Sequence, residues 1–233
     1  MPIGRQGEMT WLLLRSGLCA PAHNMACDEA LLEGVAQLGQ PVLRFYGWTE
    51  PAATFGYFQK FAEAGRMTAL RPLIRRPTGG GLVPHDADWT YSFVIPPDDP
   101  WYALKAAESY RRMHEWIRAA FAAMNVAAEL SPGCRNDLPG HCFAGAEQFD
   151  VVLGERKLAG AAQRRTKNGL LIQGSIQPPA GIVRDRFEAA MRDAAARPWR
   201  VEWRDWKPGA ELNQRARQLA QEKYSRNEFN CRR

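Results

Sequence analysis

The sequence of 233 residues predicts an α+β fold in which a mixed, largely antiparallel sheet is flanked by helices. Three observations carry this. Segments of helical period alternate with strand-like runs along the chain. The stretch "QFDVVLGERKLAGAAQRRTKNGLLIQGSI" reads as three antiparallel strands joined at Gly154-Glu155 and at Asn168-Gly169, and Asn-Gly between two such runs is a strong hairpin signal. No internal repeat and no low-complexity linker divides the chain, which predicts one domain over residues 1–233.

The first helix is predicted to open at Asn24, whose side chain can cap free N–H groups, with Asp28 and Glu29 in its early turns, where acidic groups suit the helix dipole. Leu31, Leu32, Val35 and Leu38 share one face, and Gly39 with Pro41 beyond it stops the helix. "VLRFYGW" and "ATFGYF" follow as short strands about a turn at Pro51, "PLIRRP" is another, and "WTYSFVIP" alternates. In that last run Trp89, Tyr91 and Phe93 fall on one face, which favours a core over a platform for stacking bases. Asp99 before Pro100 opens the next helix, predicted to run unbroken through Leu104, Tyr110, Met113, Ile117, Phe121 and Met124. "SPGCRNDLPGHCFAGA", punctuated by proline and glycine, is a long loop, and loops of that length are usually functional or disordered. After the three strands, "DRFEAAMRDAAA" and "ELNQRARQLAQEKY" are helices separated by a Trp-rich, Pro-containing stretch.

With 45% hydrophobic and 24% charged residues the chain has the composition of a globular protein with a sizeable core. No apolar run is long enough to span a bilayer, and the leucines of "MTWLLLRSG" are too few for a signal-peptide core, so no membrane partner and a cytoplasmic location are expected. The five cysteines, Cys19, Cys27, Cys134, Cys142 and Cys231, contain no CxxC pair, which argues against a disulfide framework or a zinc ribbon; no metal site is expected. The excess of 31 Lys+Arg over 25 Asp+Glu is local: Arg71, Arg75 and Arg76; Arg156, Lys157, Arg164, Arg165 and Lys167; Arg232 and Arg233. Such patches attract acidic proteins, phosphate-bearing ligands or nucleic acid. A nucleic-acid module would need a helix-turn-helix segment before the first helix, which follows too soon after the N-terminus, so no nucleic acid is expected as a partner.

The chemistry concentrates in "IRRPTGGGLVPHDADWTYSFVIP", residues 74–96. Gly79, Gly80 and Gly81 would let the backbone take positive φ and present consecutive N–H groups to a phosphate or carbonyl oxygen. Neither GK[ST] nor GxGxxG is present, and a tight turn with no ligand fits the spacing equally well. Arg75 and Arg76 read either as ligand-binding or as a solvated strand end, and His85 either as a general base or, more often for a lone histidine, as a structural hydrogen-bonding group.

As a group, "NMACDEALL" (24–32), "LRFYGW" (43–48), "GYFQ" (56–59), "RRPTGGGLVPHD" (75–86), "GERKLAGAAQRR" (154–165), "GSI" (174–176) and "EKY" (222–224) resemble, in this order, the lipoate-protein ligase A / octanoyltransferase family. The resemblance covers nearly the whole chain and implies the biotin/lipoate protein ligase-like fold, with an acyl group held in a tunnel walled by the glycine segment and the lysine strand. It implies a substrate-binding set of Arg75, Arg76, Thr78, Gly79, Gly80, Gly81, His85, Gly160, Ala161, Ala162, Gln163 and Gly174, with Gly160, Ala161 and Ala162 kept small for an aliphatic chain. Lys157 is assigned to the acyl carbonyl, where an ammonium stabilises the developing oxyanion, rather than to holding the fold.

Two chemistries share this family. One ligates free lipoate with ATP and Mg through an acyl-adenylate and usually needs a small accessory domain; the other moves octanoate from acyl carrier protein through a cysteine thioester without such cofactors. The chain stops just after "EKYSRNEFNCRR", where the family's catalytic domain ends, so no accessory domain is expected and the transferase is favoured. One transferase group carries its nucleophile in a "CF" pair in the loop before the lysine strand, which matches Cys142-Phe143. A thiolate there divides acyl transfer into two steps, with His141 or His85 moving the proton. Cys134, in "GCRNDL", is the rival thiol, and Cys27 inside the first helix is a structural one. The expected partners are acyl carrier protein and the lipoyl-carrier domains of glycine cleavage H protein or of 2-oxoacid dehydrogenase E2. Two departures stand out: "LIQGSI" replaces the family's "LQHGSI", putting Gln173 where a histidine is usual, and Pro84 removes a backbone donor next to the glycine segment. A non-catalytic acyl- or carrier-binding relative is therefore a third reading.

Overall fold

The computed structural model describes residues 9–133, 135–136 and 145–232. Its elements run in the order β1 (Met9–Cys19), α1 (Pro21–Leu38), β2 (Val42–Trp48), β3 (Ala52–Phe55), α2 (Phe61–Met67), β4 (Leu73–Arg75), β5 (Val83–His85), β6 (Trp89–Ile95), α3 (Pro100–Ala103) and α4 (Ala106–Ala123). Then follow β7 (Glu129–Leu130), β8 (Arg135–Asn136), β9 (Gly145–Ala146), β10 (Val151–Leu153), β11 (Arg156–Thr166), β12 (Gly169–Ile176), α5 (Arg184–Ala196), β13 (Val201–Asp205), α6 (Ala210–Leu219), a π-helical turn (Ala220–Tyr224) and α7 (Asn227–Asn230). The main sheet has the order β13-β1-β2-β6-β12-β11-β10-β7. β13, β1 and β2 are parallel, and every later neighbour is antiparallel, so the sheet is mixed as the sequence predicts. A small sheet, β4-β3-β5, stands apart from it.

Both faces of the main sheet are covered. Trp11, Leu13, Leu43, Tyr91, Phe93 and Ile172 pack one face against α4 and α5, while Leu12, Leu14, Val42, Val94 and Leu171 pack the other against Leu31, Leu32 and Val35 of α1. This is why β1 reads as a solid run of leucines: a central strand buried on both sides has no polar face to alternate. The Trp-rich stretch between the last two long helices is core too, since the rings of Trp199 and Trp203 each pack against Trp11 with centroids 5.6 Å apart, the first tilted and the second edge-on. β1, β13 and α2 are not among the predicted elements.

Three boundaries differ from the sequence prediction. α1 begins at Pro21, not Asn24. Proline suits the first helical position, which leaves Asn24 buried, with Nδ2 donating to the Gly47 carbonyl at 2.9 Å and Oδ1 accepting from Arg44 at 2.8 Å. The helix predicted from Asp99 to Met124 is broken at Leu104 and Lys105, both extended; Asp99 caps its first piece as expected, accepting from Trp101 N–H at 2.8 Å. The carbonyls of Tyr102 and Leu104 freed by the break accept from Arg165. The β11–β12 hairpin turns through Lys167 and Asn168, one residue earlier than the predicted pair, with Gly169 at φ 155° pairing Thr166. Pro84 costs the small sheet little, because β5 is its edge strand.

Candidate active site

A cavity of about 260 Å³ lies where the glycine segment and β5 face β11 and β12. Of the sequence candidates, Arg76, Gly80, Gly81, His85, Lys157, Gly160, Ala161, Ala162 and Gly174 line it. Met25, Tyr46, Thr54, Thr90, Tyr110, Gln173 and Ser175 line it as well and are not in the predicted set. Met25 and Tyr46 lie inside strings that carry the resemblance, "NMACDEALL" and "LRFYGW", so their positions were visible; their direction was not. Cys142, Cys134 and His141 lie outside the described residues.

Lys157 is 8% exposed and its Nζ stands 2.6 Å from Oδ2 of Asp150, which is fully buried. Asp150 also accepts from the hydroxyl of Tyr110 and, at 2.7 Å, from the N–H of Glu147. The ammonium is thus fixed at the cavity wall by a carboxylate that is itself held from three directions. A β-bulge makes the placement possible: Val151 pairs Ala159 while Val152 pairs Lys157, so β11 carries one extra residue and Lys157 comes onto the side of Gly160. A Cβ on Gly160 would lie 2.6 Å from Lys157 Cε and 2.8 Å from Nζ. The smallness of Gly160, predicted to suit an aliphatic ligand, therefore admits the lysine side chain. Gly174 is likewise small for a neighbour, since its Cβ would meet the Tyr91 ring at 2.1 Å.

Of Gly79, Gly80 and Gly81, Gly80 alone has positive φ, at 82°. Its carbonyl sits where a Cβ on Gly56 would be, at 1.8 Å, which explains the glycine of "GYFQ". Thr78 is fully buried and does not line the cavity: its hydroxyl donates to Gln173 Oε1 at 2.7 Å, and Gln173 Nε2 donates to Asp28 Oδ2 at 2.7 Å. Asp28 further accepts from Arg44 at 2.7 Å, Tyr46 at 3.0 Å and Ser92 at 2.6 Å, giving a buried and heavily bonded carboxylate beneath the cavity. Gln173 thus ties the glycine segment to α1 with both ends of its amide.

Besides Thr78, three predicted ligand residues are engaged away from the cavity. Arg75 is fully buried rather than solvated, and its guanidinium donates to the carbonyls of Tyr57 and Gln59 at 2.7 Å, Phe229 at 3.3 Å and Asn230 at 2.9 Å. A buried arginine saturated by backbone carbonyls anchors a strand. Gln163 bridges to α4, accepting from Ser109 at 2.8 Å and donating to the Ala106 carbonyl at 2.7 Å. Gly79 gives its carbonyl to Arg76 and stays off the cavity wall. The expected basic surface is also partly consumed within the molecule: Arg164 lies 3.7 Å from Glu29, and Arg165 holds the break before α4. The "EKY" string acts at the same point, with Lys223 at 2.6 Å and the Tyr224 hydroxyl at 2.8 Å from Glu29.

Of the described thiols, Cys27 is half-buried and pushed up to about 11, chiefly by burial, which makes it a poor nucleophile near neutral pH. Among the described residues no group of three or more His, Cys, Asp or Glu side chains could hold a metal ion, and no helix is long and apolar enough to cross a membrane.

The model of the family described as lipoyl protein ligase A/B catalytic domain matches residues 20–178, and the chain belongs to that family. It is 37% identical over 180 residues to the octanoyltransferase LipM of Anoxybacillus flavithermus, covering 71% of this chain and 64% of that protein. To the LipM of Bacillus subtilis it is 34% identical over 180 residues, covering 72% and 65%. The chain thus spans just under two thirds of the length of these curated relatives. Among solved structures, lipoate-protein ligase A bound with ATP superposes with a TM-score of 0.78 at 24% identity, covering 96% of this chain and 98% of the other. A bi-partite lipoate protein ligase of Thermoplasma acidophilum, studied with its E2 lipoyl domain, gives 0.73 at 21% identity, covering 97% of each. The fold is that of the lipoate-protein ligases.

Proposed function

We propose that the chain is an octanoyltransferase that moves octanoyl from acyl carrier protein to a lysine of a lipoyl-carrier domain, such as those of glycine cleavage H protein or 2-oxoacid dehydrogenase E2, without ATP. The observation that carries this reading is Lys157, an ammonium fixed by buried Asp150 at the wall of a cavity lined by Gly160, Ala161 and Ala162. A fixed cation beside small apolar residues suits a thioester whose carbonyl gains negative charge while its hydrocarbon tail stays dry. Cys142 is the proposed nucleophile: in sequence it stands in a "CF" pair three residues before Gly145, which lines the cavity. The names of the 34–37% identical relatives support octanoyl transfer, and the lipoyl domain studied with the archaeal ligase supports the acceptor.

Intact mass after incubation with octanoyl-acyl carrier protein, in the absence of ATP, tests the reading. A covalent octanoyl adduct is expected on the wild-type chain and on Cys134→Ser but not on Cys142→Ala. Product formed from free acid with ATP alone would overturn it in favour of a ligase; an adduct that survives Cys142→Ala and vanishes with Cys134→Ser would reassign the thiol.

A further inference from the structure

Thr54, His85 and Asp88 form a hydrogen-bonded row in the cavity wall. Thr54 Oγ1 lies 2.8 Å from His85 Nε2, and His85 Nδ1 lies 2.9 Å from Asp88 Oδ2. The local fold sets this up: in the antiparallel pair β3–β5, Ala52 stands opposite His85 and Thr54 opposite Val83, so Thr54 and His85 are diagonal neighbours on one face. Asp88 follows three residues on, in the turn before β6. The imidazole is stacked on Trp48 at 3.9 Å between centroids, which fixes its plane. Thr54 and His85 both line the cavity that holds Lys157.

The carboxylate is arranged for the ring. Oδ2 of Asp88 also accepts from Thr90 at 3.0 Å and Ser175 at 2.6 Å, while Oδ1 is buried without a partner. Among the described residues no lysine or arginine pairs with Asp88, and His85 is the one basic side chain bonded to it. A carboxylate kept for stability alone would normally have a cation or a full set of donors in such a place. With Asp88 accepting at Nδ1–H, the free lone pair is on Nε2, so the Thr54 hydroxyl donates to it; the tautomer follows from the network. This is the order of roles in a hydroxyl–imidazole–carboxylate triad. Gln173 offers no competing base, because both ends of its amide are occupied and an amide does not accept a proton near neutral pH.

We propose that Thr54, His85 and Asp88 are the proton relay for acyl transfer in this cavity. The inference rests on acyl transfer occurring there, and not on which donor supplies the acyl group. The acceptor amine attacks the carbonyl carbon, the C–N bond forms and the bond to the leaving group breaks. The proton lost by nitrogen passes through the Thr54 hydroxyl to His85 Nε2 and returns to the departing thiolate, or to the leaving phosphate oxygen if the donor is an adenylate. Asp88 stabilises the imidazolium while it exists.

The test uses whichever donor the wild-type chain accepts, octanoyl-acyl carrier protein or free octanoate with ATP, so that failure of the transferase reading and failure of the relay are separate results. Thr54→Val preserves shape and removes the hydroxyl. It, His85→Ala and Asp88→Asn should each lower kcat about a hundredfold or more, the usual scale of general base catalysis, with KM for the acyl donor little changed. Added imidazole should restore part of the activity of His85→Ala and none of that of Asp88→Asn. Wild-type kcat in Thr54→Val would overturn the relay, as would losses confined to KM or an unrescued His85→Ala that retains wild-type thermal stability.

Discussion

Lys157 carries two burdens where the sequence assigns it one, the acyl carbonyl. Its place in "GERKLAGAAQRR" marks it as the cation of the acyl site, but its partner Asp150 and its depth make it also half of a buried ion pair. Removing one member of such a pair leaves an uncompensated charge, a cost of about 3–5 kcal/mol, whereas replacing both by neutral groups of similar shape is often nearly neutral. Lys157→Met should therefore lose turnover about a hundredfold, as for one oxyanion donor, and also about 3 kcal/mol of stability. Lys157→Met/Asp150→Asn should recover most of that stability, since the asparagine oxygen can accept from the Glu147 N–H while its amide group donates to the Tyr110 hydroxyl, and recover no activity. Urea unfolding with steady-state rates on both variants checks this; a single variant as stable as wild type would show that solvent reaches Asp150. The same pair shows what the sequence hides at this scale. A motif identifies the lysine, but its counter-ion is recognisable only when β10 and β11 are brought together through a bulge, and nothing in "QFDVVL" marks Asp150 as charged and buried rather than as a turn residue.

Helix α4 is bonded to the site through Tyr110, and His114 lies one turn further along it. His114 is fully buried, its Nδ1 lies 3.1 Å from the Tyr110 carbonyl, and its Nε2 has no partner. Burial, helped by the charge of Lys157 and opposed by Asp150, holds it down at about 4, against an ordinary value of 6.5. The unfolded chain therefore takes up a proton on His114 through pH 6.5, while the folded chain stays neutral there. Stability from this group is complete above pH 6.5 and is lost as the pH falls toward 4, by about 2 kcal/mol between pH 7 and pH 5. His114→Phe should flatten that part of the pH dependence, measured as the difference in unfolding free energy at the two pH values; an unchanged slope would assign the acid sensitivity to other groups. Elements with internal periodicity, such as α4 and the β10–β12 meander, were legible because their own residues specify them. β1 was not: its leucine run is buried on both faces and shows no alternation, and its parallel partner β13 lies at the far end of the chain. α2 buries Ala64 alone, too little to leave a helical stripe.

Across the whole molecule, the segment after α6 acts as a clasp on the cavity wall, although it contributes nothing to the lining. Lys223 and Tyr224 bond Glu29 of α1; the Asn230 side chain accepts from the Arg75 backbone N–H at 2.8 Å; and the carbonyls of Phe229 and Asn230 accept from the Arg75 guanidinium. Arg75 leads directly into Arg76 and the glycine segment, whose other end is tied to Asp28 through Thr78 and Gln173. The glycine segment is thus fixed between α1 and a stretch more than 140 residues downstream, an arrangement that motif order in the sequence preserves but does not reveal. Deleting residues 226–233 removes α7 and strips a fully buried guanidinium of two of the four carbonyl acceptors found for it among the described residues, along with the acceptor for the Arg75 N–H. Leaving a buried charge under-bonded costs about 3 kcal/mol or more, and at this chain length each kcal/mol shifts Tm by about 2–4 °C. The deletion should lower Tm by about 10 °C and raise KM for the acyl donor. Deleting residues 232–233 alone, which leaves α7 and Asn230 in place, should leave Tm nearly unchanged. Thermal unfolding of the two truncations side by side decides the matter: equal Tm values would mean that Arg75 finds new partners and that the clasp does not hold the site.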